Sequence, residues 1–430
     1  MTARAIFFSQ LRGACPGLSV PMQTGDGLLV RLLPIGTIPL DRFRALCAAA
    51  GKYGNGVIEI TGRGSIQVRG LNAASAPRFA DTVAALNIAA ADGIPVVCNA
   101  LAGLDAHEIL DATALAADLR RALARASPGA RLAPKISVVV DGGGALSLDQ
   151  IAADIRLCAQ LTDNGVALRT GVGGDTTTAA EVGLVAPGHG IAAAIRLLEV
   201  IARHGCTVRA RDIVAAEGAA SFRSALTGLL IEDAPTPPAR VTCDPIGLHR
   251  LRDESLAIGI GLAFSHASAR TLERLVDAAT AAGATGVRPA PGRTLMIVGL
   301  RQKAANPFAD AAESLGFIVD AADPRRDVIA CAGAPICSSA LIAARSLAPR
   351  ITEIAAPYLG GSRQIHISGC SKGCAHAGQA ALTIVGLPYG CGLIADGSAR
   401  GAPFAVVAPN ELPAAIERYF REPAHEDGHV

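Results

Sequence analysis

Nowhere in this 430-residue chain does an uncharged apolar run approach the roughly 18 residues that a bilayer-spanning helix needs, although half of the residues are apolar. Alanine supplies much of that half, so no membrane helix is expected. The N-terminus, MTARAIFFSQLRGACPG, lacks the apolar core and small-residue cleavage site of a secretory signal. Neither charge is in excess: 39 Lys and Arg against 37 Asp and Glu leave a net charge of +2, which argues against a nucleic-acid or acidic-membrane partner. No Gly-x-Gly-x-x-Gly element joins a strand to a helix, so no built-in nicotinamide site is expected and electrons would come from an external donor. Cys-x2-Cys pairs, the usual mark of structural zinc, are absent as well.

What the chain does have is a cysteine quartet. Of eleven cysteines, Cys331 and Cys337 bracket CAGAPIC, and Cys370 and Cys374 bracket the loop of SGCSKGCAH. A [4Fe–4S] cubane needs four thiolates converging on one point, and short loops punctuated by Gly333, Pro335, Gly369 and Gly373 can aim them there. Thiols that serve a metal rather than disulfides fit a reducing compartment, and a cytoplasmic location is expected. The length suggests two to four domains with ample core.

The chain also repeats itself. Pro16 and Pro245 stand 229 positions apart, as do Gly70 and Gly299. In the first copy an extended run, GLLVRLL, leads through a helical stretch at 41–52 into NGVIEITGRGSIQVRGL; in the second, SLAIGIGLAF leads through SARTLERLVDAATAAG into ATGVRPAPGRTLMIVGL. Each copy reads strand, helix, strand. Behind each lies a longer α/β segment, the first with a strand candidate at 135–143 and a helix at 191–205, and the second holding the cysteine quartet. The proline-rich stretch APTPPARVTCDP at 234–245 marks the boundary between halves, and the tail EPAHEDGHV is expected to be disordered. The division is therefore 1–71, 72–238, 239–300 and 301–430.

Cys-x5-Cys followed by Cys-x3-Cys resembles the cluster signature of the sirohaem-dependent sulfite and nitrite reductases. Three segments, CPGLSVPMQTGDGLLVRL at 15–32, DPRRDVIACAGAPIC at 323–337 and HISGCSKGCAH at 366–376, resemble one branch of that superfamily, the precorrin-3B synthases of aerobic cobalamin biosynthesis. The resemblance implies an α+β fold: duplicated ferredoxin-like half-domains (1–71 and 239–300) plus two α/β modules, related by a pseudo-twofold axis. It implies that Cys331, Cys337, Cys370 and Cys374 hold the [4Fe–4S] cluster. It further implies an iron–sulfur monooxygenase that hydroxylates precorrin-3A at C20 with O2 and forms a lactone, with a mononuclear non-haem iron and electrons derived from a reduced nicotinamide.

Substrate-side residues follow from the same comparison and from the substrate's chemistry. Thr61-Gly62-Arg63 matches the reductases' Thr-x-Arg element, which places an arginine over the tetrapyrrole. Lys135-Ile136-Ser137 matches their Lys-x-Lys element with its second lysine replaced, and no arginine precedes CNALAGLDAHEILD at Ile94–Val97. Two cations of the small-anion clamp are thus missing, which removes transition-state stabilisation for sulfite or nitrite reduction. A precorrin carries many carboxylates, so Arg63, Lys135, Arg293 and Lys372 are the expected substrate residues, with Arg69 and Arg288 as surface charges nearby. His249, His366 and His376 are weaker candidates for the iron. The runner-up is a sirohaem-dependent reductase in which Cys374 would link cluster and sirohaem. A simple iron–sulfur electron carrier is set aside, because it would not need over 300 residues ahead of its cluster.

Overall fold

Alternation on two strands decides the first sheet. In Gly27–Leu32 and Ile66–Leu71, the side chains of Leu28, Val30, Leu32, Ile66 and Val68 enter the core, while Arg31, Gln67 and Arg69 take the opposite face. The computed structural model describes residues 16–91, 93–126, 128–231, 240, 242–361 and 363–421; the N-terminal segment with Cys15, most of the proline-rich linker and the tail lie outside them. The first sheet runs Met22–Thr24, Gly27–Leu32, Ile66–Leu71, Val57–Ile60, His266–Ser268, and the second Gly247–Arg250, Leu256–Gly261, Thr294–Leu300, Gly286–Ala290, Ile38–Pro39. Each sheet therefore ends in a strand donated by the other copy.

Helices Leu40–Tyr53 and Ala269–Ala281 back these sheets. The second buries Leu272, Leu275, Val276 and Ala279, a helical spacing, and starts at Ser268, whose hydroxyl accepts from Thr271 N at 3.0 Å. The 229-residue repeat holds through the whole unit: Ile38–Pro39 falls on 267–268, and Gly70 (φ 72°) falls on Gly299 (φ 81°). Both copies share one apolar core, which takes in Phe79 of helix Ser75–Ala85 and Phe308 of helix Ala305–Ser314. These helices, which follow residues 71 and 300, cover the sheets that precede them.

The α/β modules repeat too. In the first, Val96–Val97, Val138–Asp141 and Ala153–Thr162 are parallel and continue antiparallel into Gly165–Gly174, Ala180–Val185 and Leu230–Ile231. In the second, Val328–Ala330, Ile365–Ser368 and Ala380–Leu387 are parallel and continue antiparallel into Gly390–Gly397 and Ala405–Val407. Parallel strands present ligands beyond their carboxyl ends, and the cysteine quartet sits there: Cys331 follows Ala330 and Cys370 follows Ser368 by two. Among the described residues no helix is long and apolar enough to cross a membrane.

Glycine is required at 299 on two counts, its positive φ and the crowding that would put a Cβ 2.3 Å from Thr285 Oγ1. Gly299→Ala should lower stability by roughly 1–3 kcal/mol, read as a shifted denaturant midpoint. Gly17→Ala, whose Cβ would meet nothing within 4 Å, should leave the midpoint in place; equal midpoints for both variants would contradict the assignment.

Candidate active site

Two tight loops converge to build the metal end. Gly369 N–H donates to Cys331 Sγ at 3.0 Å, and Leu341 N–H to Gly369 O at 2.7 Å, so the CAGAPIC and SGCSKGC loops are tied to each other. Gly333 and Gly373 both take positive φ, at 66° and 62°, which lets the chain reverse beside the thiols. A third segment caps them: Ser338 donates from both N and Oγ to Gly25 O, each at 2.9 Å. A Cβ on Gly25 would lie 2.4 Å from Cys337 Sγ.

The thiols act on one another. Burial raises Cys331 above the ordinary thiol range, with Cys370 and Cys337 adding to it; burial raises Cys374 too, offset by Arg69 and reinforced by the other three. Yet among the described residues no three His, Cys, Asp or Glu side chains come close enough to hold a single ion. All four thiols lie within electrostatic reach of one another around Cys374, and four thiolates are the donor set that a [4Fe–4S] cluster takes. Cys98 and Cys158 lie in the first module, where burial pushes each up to about 11.

Beside the thiols opens a cavity of about 400 Å³ that Cys331 and Cys374 line together with Arg63, Lys135 and Arg293. Three of the four expected substrate residues thus meet there. Arg63 stands in the turn after Val57–Ile60, where Gly64 N donates to Thr61 O at 2.9 Å, and its Nη2 donates to Ala152 O at 3.0 Å. The equivalent turn of the second copy lies against it, Gly292 N donating to Gly62 O at 3.1 Å. Arg293 has φ 64°, and burial lowers its pKa to about 10; among the described residues no hydrogen bond or ion pair engages its guanidinium. Lys135 is exposed at the rim.

Sequence reading missed two further cations of this cavity. Arg209 is clamped by Asp154, Nε to Oδ1 at 2.8 Å and Nη2 to Oδ2 at 2.6 Å, and Asp154 also accepts from Ser137 N at 2.9 Å. Arg31 donates from Nε to Gln67 Oε1 at 3.1 Å. Arg31, Gln67 and Arg69 alternate with apolar residues on their strands, a signal that could have marked this face as lining a polar cavity. Arg209 follows a loop without any pattern.

Other expectations fare differently. Lys372 does not line the cavity: it is exposed on its loop and its Nζ donates to Ser339 Oγ at 2.9 Å. Arg69 is no surface charge but is buried in an ion pair with Asp26 at 2.7 Å. Arg288 is half-buried, its Nη1 donating to the carbonyls of Ala100 and Ala102 at 3.1 and 2.8 Å, with burial pulling its pKa to about 10 against the opposing pull of Glu108 and Cys98. His249 bonds Pro245 O at 3.2 Å, and His366 is fully buried, edge to face with His376, and held down at about 4 by burial, His376 and Arg293.

Residues 20–86 match the family of the nitrite/sulfite reductase ferredoxin-like half domain. A precorrin-3B synthase from a Sinorhizobium species is 41% identical over 414 residues, 96% of this chain and 89% of that protein. A ferredoxin–nitrite reductase from Synechococcus elongatus is 24% identical over 396 residues, 85% of this chain and 77% of that protein. The solved structure of the Mycobacterium tuberculosis NirA protein superimposes with a TM-score of 0.74 at 20% identity, covering 93% of this chain and 82% of that one, and bears on the fold alone.

The close approach of Gly25 to Cys337 sets the hairpin turn against the cysteine quartet. Gly25→Ala must displace either the Cys337 thiol or the hairpin, and the iron and sulfide content of reconstituted protein should fall severalfold, as for Cys370→Ser. Wild-type iron and sulfide in both variants would remove these loops from the metal site.

Proposed function

We infer the reaction from a plain premise: the chain belongs to the precorrin-3B synthase family, within the nitrite and sulfite reductase superfamily, and it is an oxidoreductase. The proposed reaction is the O2-dependent hydroxylation of precorrin-3A at C20 with lactone formation, in cobalamin biosynthesis. One oxygen atom enters the substrate and the other leaves as water, with two electrons supplied by an external donor. The observation that carries the reading is the cavity itself, in which arginines and a lysine from several elements surround a space bordered by two cluster cysteines.

A precorrin's acetates and propionates are acidic groups set around a large ring, and arginine's planar fork binds carboxylates bidentately. Arg63 and Lys135 stand at the rim of the cavity, Arg293 lies deeper, and Arg209 is held in one orientation by Asp154. Fixed cations of this kind orient the ring without ordering flexible side chains at each encounter. When bound, the [4Fe–4S] cluster on Cys331, Cys337, Cys370 and Cys374 supplies one-electron transfer. A mononuclear iron receives no ligand set here, since the described residues offer no three-ligand site. A reducing, cytoplasmic compartment suits a chain whose thiols are proposed to hold iron.

The sirohaem reductase reading needs a dense positive field on a small oxyanion. Ser137 occupies the place of the second lysine, and its hydroxyl is buried without a hydrogen-bond partner among the described residues. Sulfite and nitrite should therefore be reduced negligibly even with a strong artificial donor, and turnover at ordinary enzyme rates, ~1 to 1000 per second, would restore the reductase. The optical spectrum makes the same distinction: a broad brown shoulder alone for the oxygenase, strong Soret absorption for the reductase.

Arg63 provides the direct test of the cavity. Losing one member of a desolvated charge-assisted pair costs about 2–5 kcal/mol, whereas an exposed pair costs about 0–1. Arg63→Ala should keep its cluster spectrum and bind precorrin-3A at least tenfold more weakly, with Arg63→Lys recovering only part. Equal affinity in wild type and Arg63→Ala would remove Arg63 from the site.

A further inference from the structure

Glu59 stands where elements from three parts of the chain meet. Its Oε1 accepts from Arg345 Nη2 at 2.6 Å, and its Oε2 accepts from Gln67 Nε2 at 2.7 Å and from Arg69 Nη1 at 3.5 Å. The other edge of Arg69 is held by Asp26, Nε to Oδ2 at 2.8 Å and Nη2 to Oδ1 at 2.7 Å. Asp26 belongs to the same hairpin turn whose Gly25 carbonyl caps Ser338, and Arg345 lies in the first turn of helix Ala344–Ala355, against whose start Gly333 of the cysteine loop is packed. All four charged side chains are nearly shut off from water, with relative exposures of 1% to 12%.

Two members of this knot, Arg69 and Glu59, line the cavity together with Cys331 and Cys374, and Arg345 stands behind Glu59 at the start of the helix against which Gly333 of the cysteine loop packs. The Arg69 and Cys374 charges act on each other, and Arg345 acts likewise with Cys331. Arg345 Nε is also buried without any hydrogen-bond partner among the described residues, a donor left for an acceptor that the polypeptide does not provide. A cluster on four thiolates is negatively charged and gains a further negative charge on reduction. Cations and N–H donors beside its sulfurs in a low-dielectric setting favour the reduced form.

We propose that the Glu59–Arg345–Arg69 knot sets the reduction potential of the cluster: Arg345 and Arg69 raise it, while Glu59 positions both arginines and holds the potential down. The proposal rests on the reading of the four cysteines as cluster ligands. Glu59 is a positioning residue here, acting through the arginines it holds.

The test is a potentiometric measurement on full-length reconstituted protein, followed by visible bleaching and by the paramagnetic signal of the reduced cluster. Arg345→Met should shift the midpoint to lower potential, and Glu59→Gln, which removes the negative charge but keeps hydrogen-bonding atoms, should shift it to higher potential. Arg345→Lys keeps the charge and should stay near wild type. Shifts of opposite sign at unchanged iron and sulfide content support the electrostatic role. Unmoved potentials, shifts of the same sign, or a drop in Arg345→Lys equal to that in Arg345→Met overturn it, as does loss of the cluster from both Arg345→Met and Glu59→Gln, which marks a structural clamp. A wild-type protein that cannot be given a cluster overturns the ligand reading together with this one, whereas an intact cluster with unmoved potentials overturns this one alone.

Discussion

Exchange of two short edge strands ties the chain into one body. Ile38–Pro39 completes the second sheet and His266–Ser268 the first, so neither half-domain can close its sheet alone. The exchange places the helices that follow these strands side by side over both sheets, and Phe43, Leu46, Leu272 and Leu275 fill one continuous core between them. At roughly 1.5–3 kcal/mol for each large apolar side chain fully buried, this shared core outweighs the few hydrogen bonds of the edge strands. The edge strands provide register instead. They bring the turns at 61–64 and 290–293 back to back, and with them the residues that each copy presents beyond its sheet.

From this symmetric frame the two faces turn out unlike. Toward the cysteine module, the first sheet presents Arg31, Glu59, Gln67 and Arg69; at the matching register positions the second presents Gly259, Arg288, Met296 and Val298. Met296 and Val298 pack with Leu101, Leu146 and Leu251 into a small core of their own, and Arg288 is consumed by the carbonyls of Ala100 and Ala102. The cavity left on that side is about 60 Å³ against about 400 Å³ on the other. Buried charges are costly unless paired, so a face carrying three arginine and glutamine side chains plus a glutamate cannot collapse onto an apolar partner. One copy spends its polar face on a site, and the other on packing.

The cysteine quartet and the 229-residue repeat were legible because both are patterns in spacing, which survive without coordinates. Arg63, Lys135 and Arg293 could be named because they sit at strand ends or in matched motifs. Arg345 and Glu59 could not, since their importance arises from an encounter between residues 286 positions apart in the chain. Lys372 failed for the converse reason: standing between two cysteines in sequence, it projects from the far side of its loop toward Ser339. Which sheet helices Ser75–Ala85 and Ala305–Ser314 cover was not legible in the sequence either, because only the packed core shows it.

Comparison of the repeats bears most on Arg293. Its counterpart 229 positions earlier is Gly64, and both residues hold positive φ, 75° at the glycine and 64° at the arginine. Glycine adopts that conformation without steric cost, whereas a side chain there costs of order 1–3 kcal/mol. Arg293 adds a second cost, because its guanidinium is pulled out of water with no anion beside it among the described residues. Glycine at 293 would relieve both costs and keep the turn. A backbone strained to carry an unpaired cation into a cavity shared with Cys331 and Cys374 is intelligible if the missing anion arrives with a ligand, so that the pairing energy is gained on binding rather than on folding.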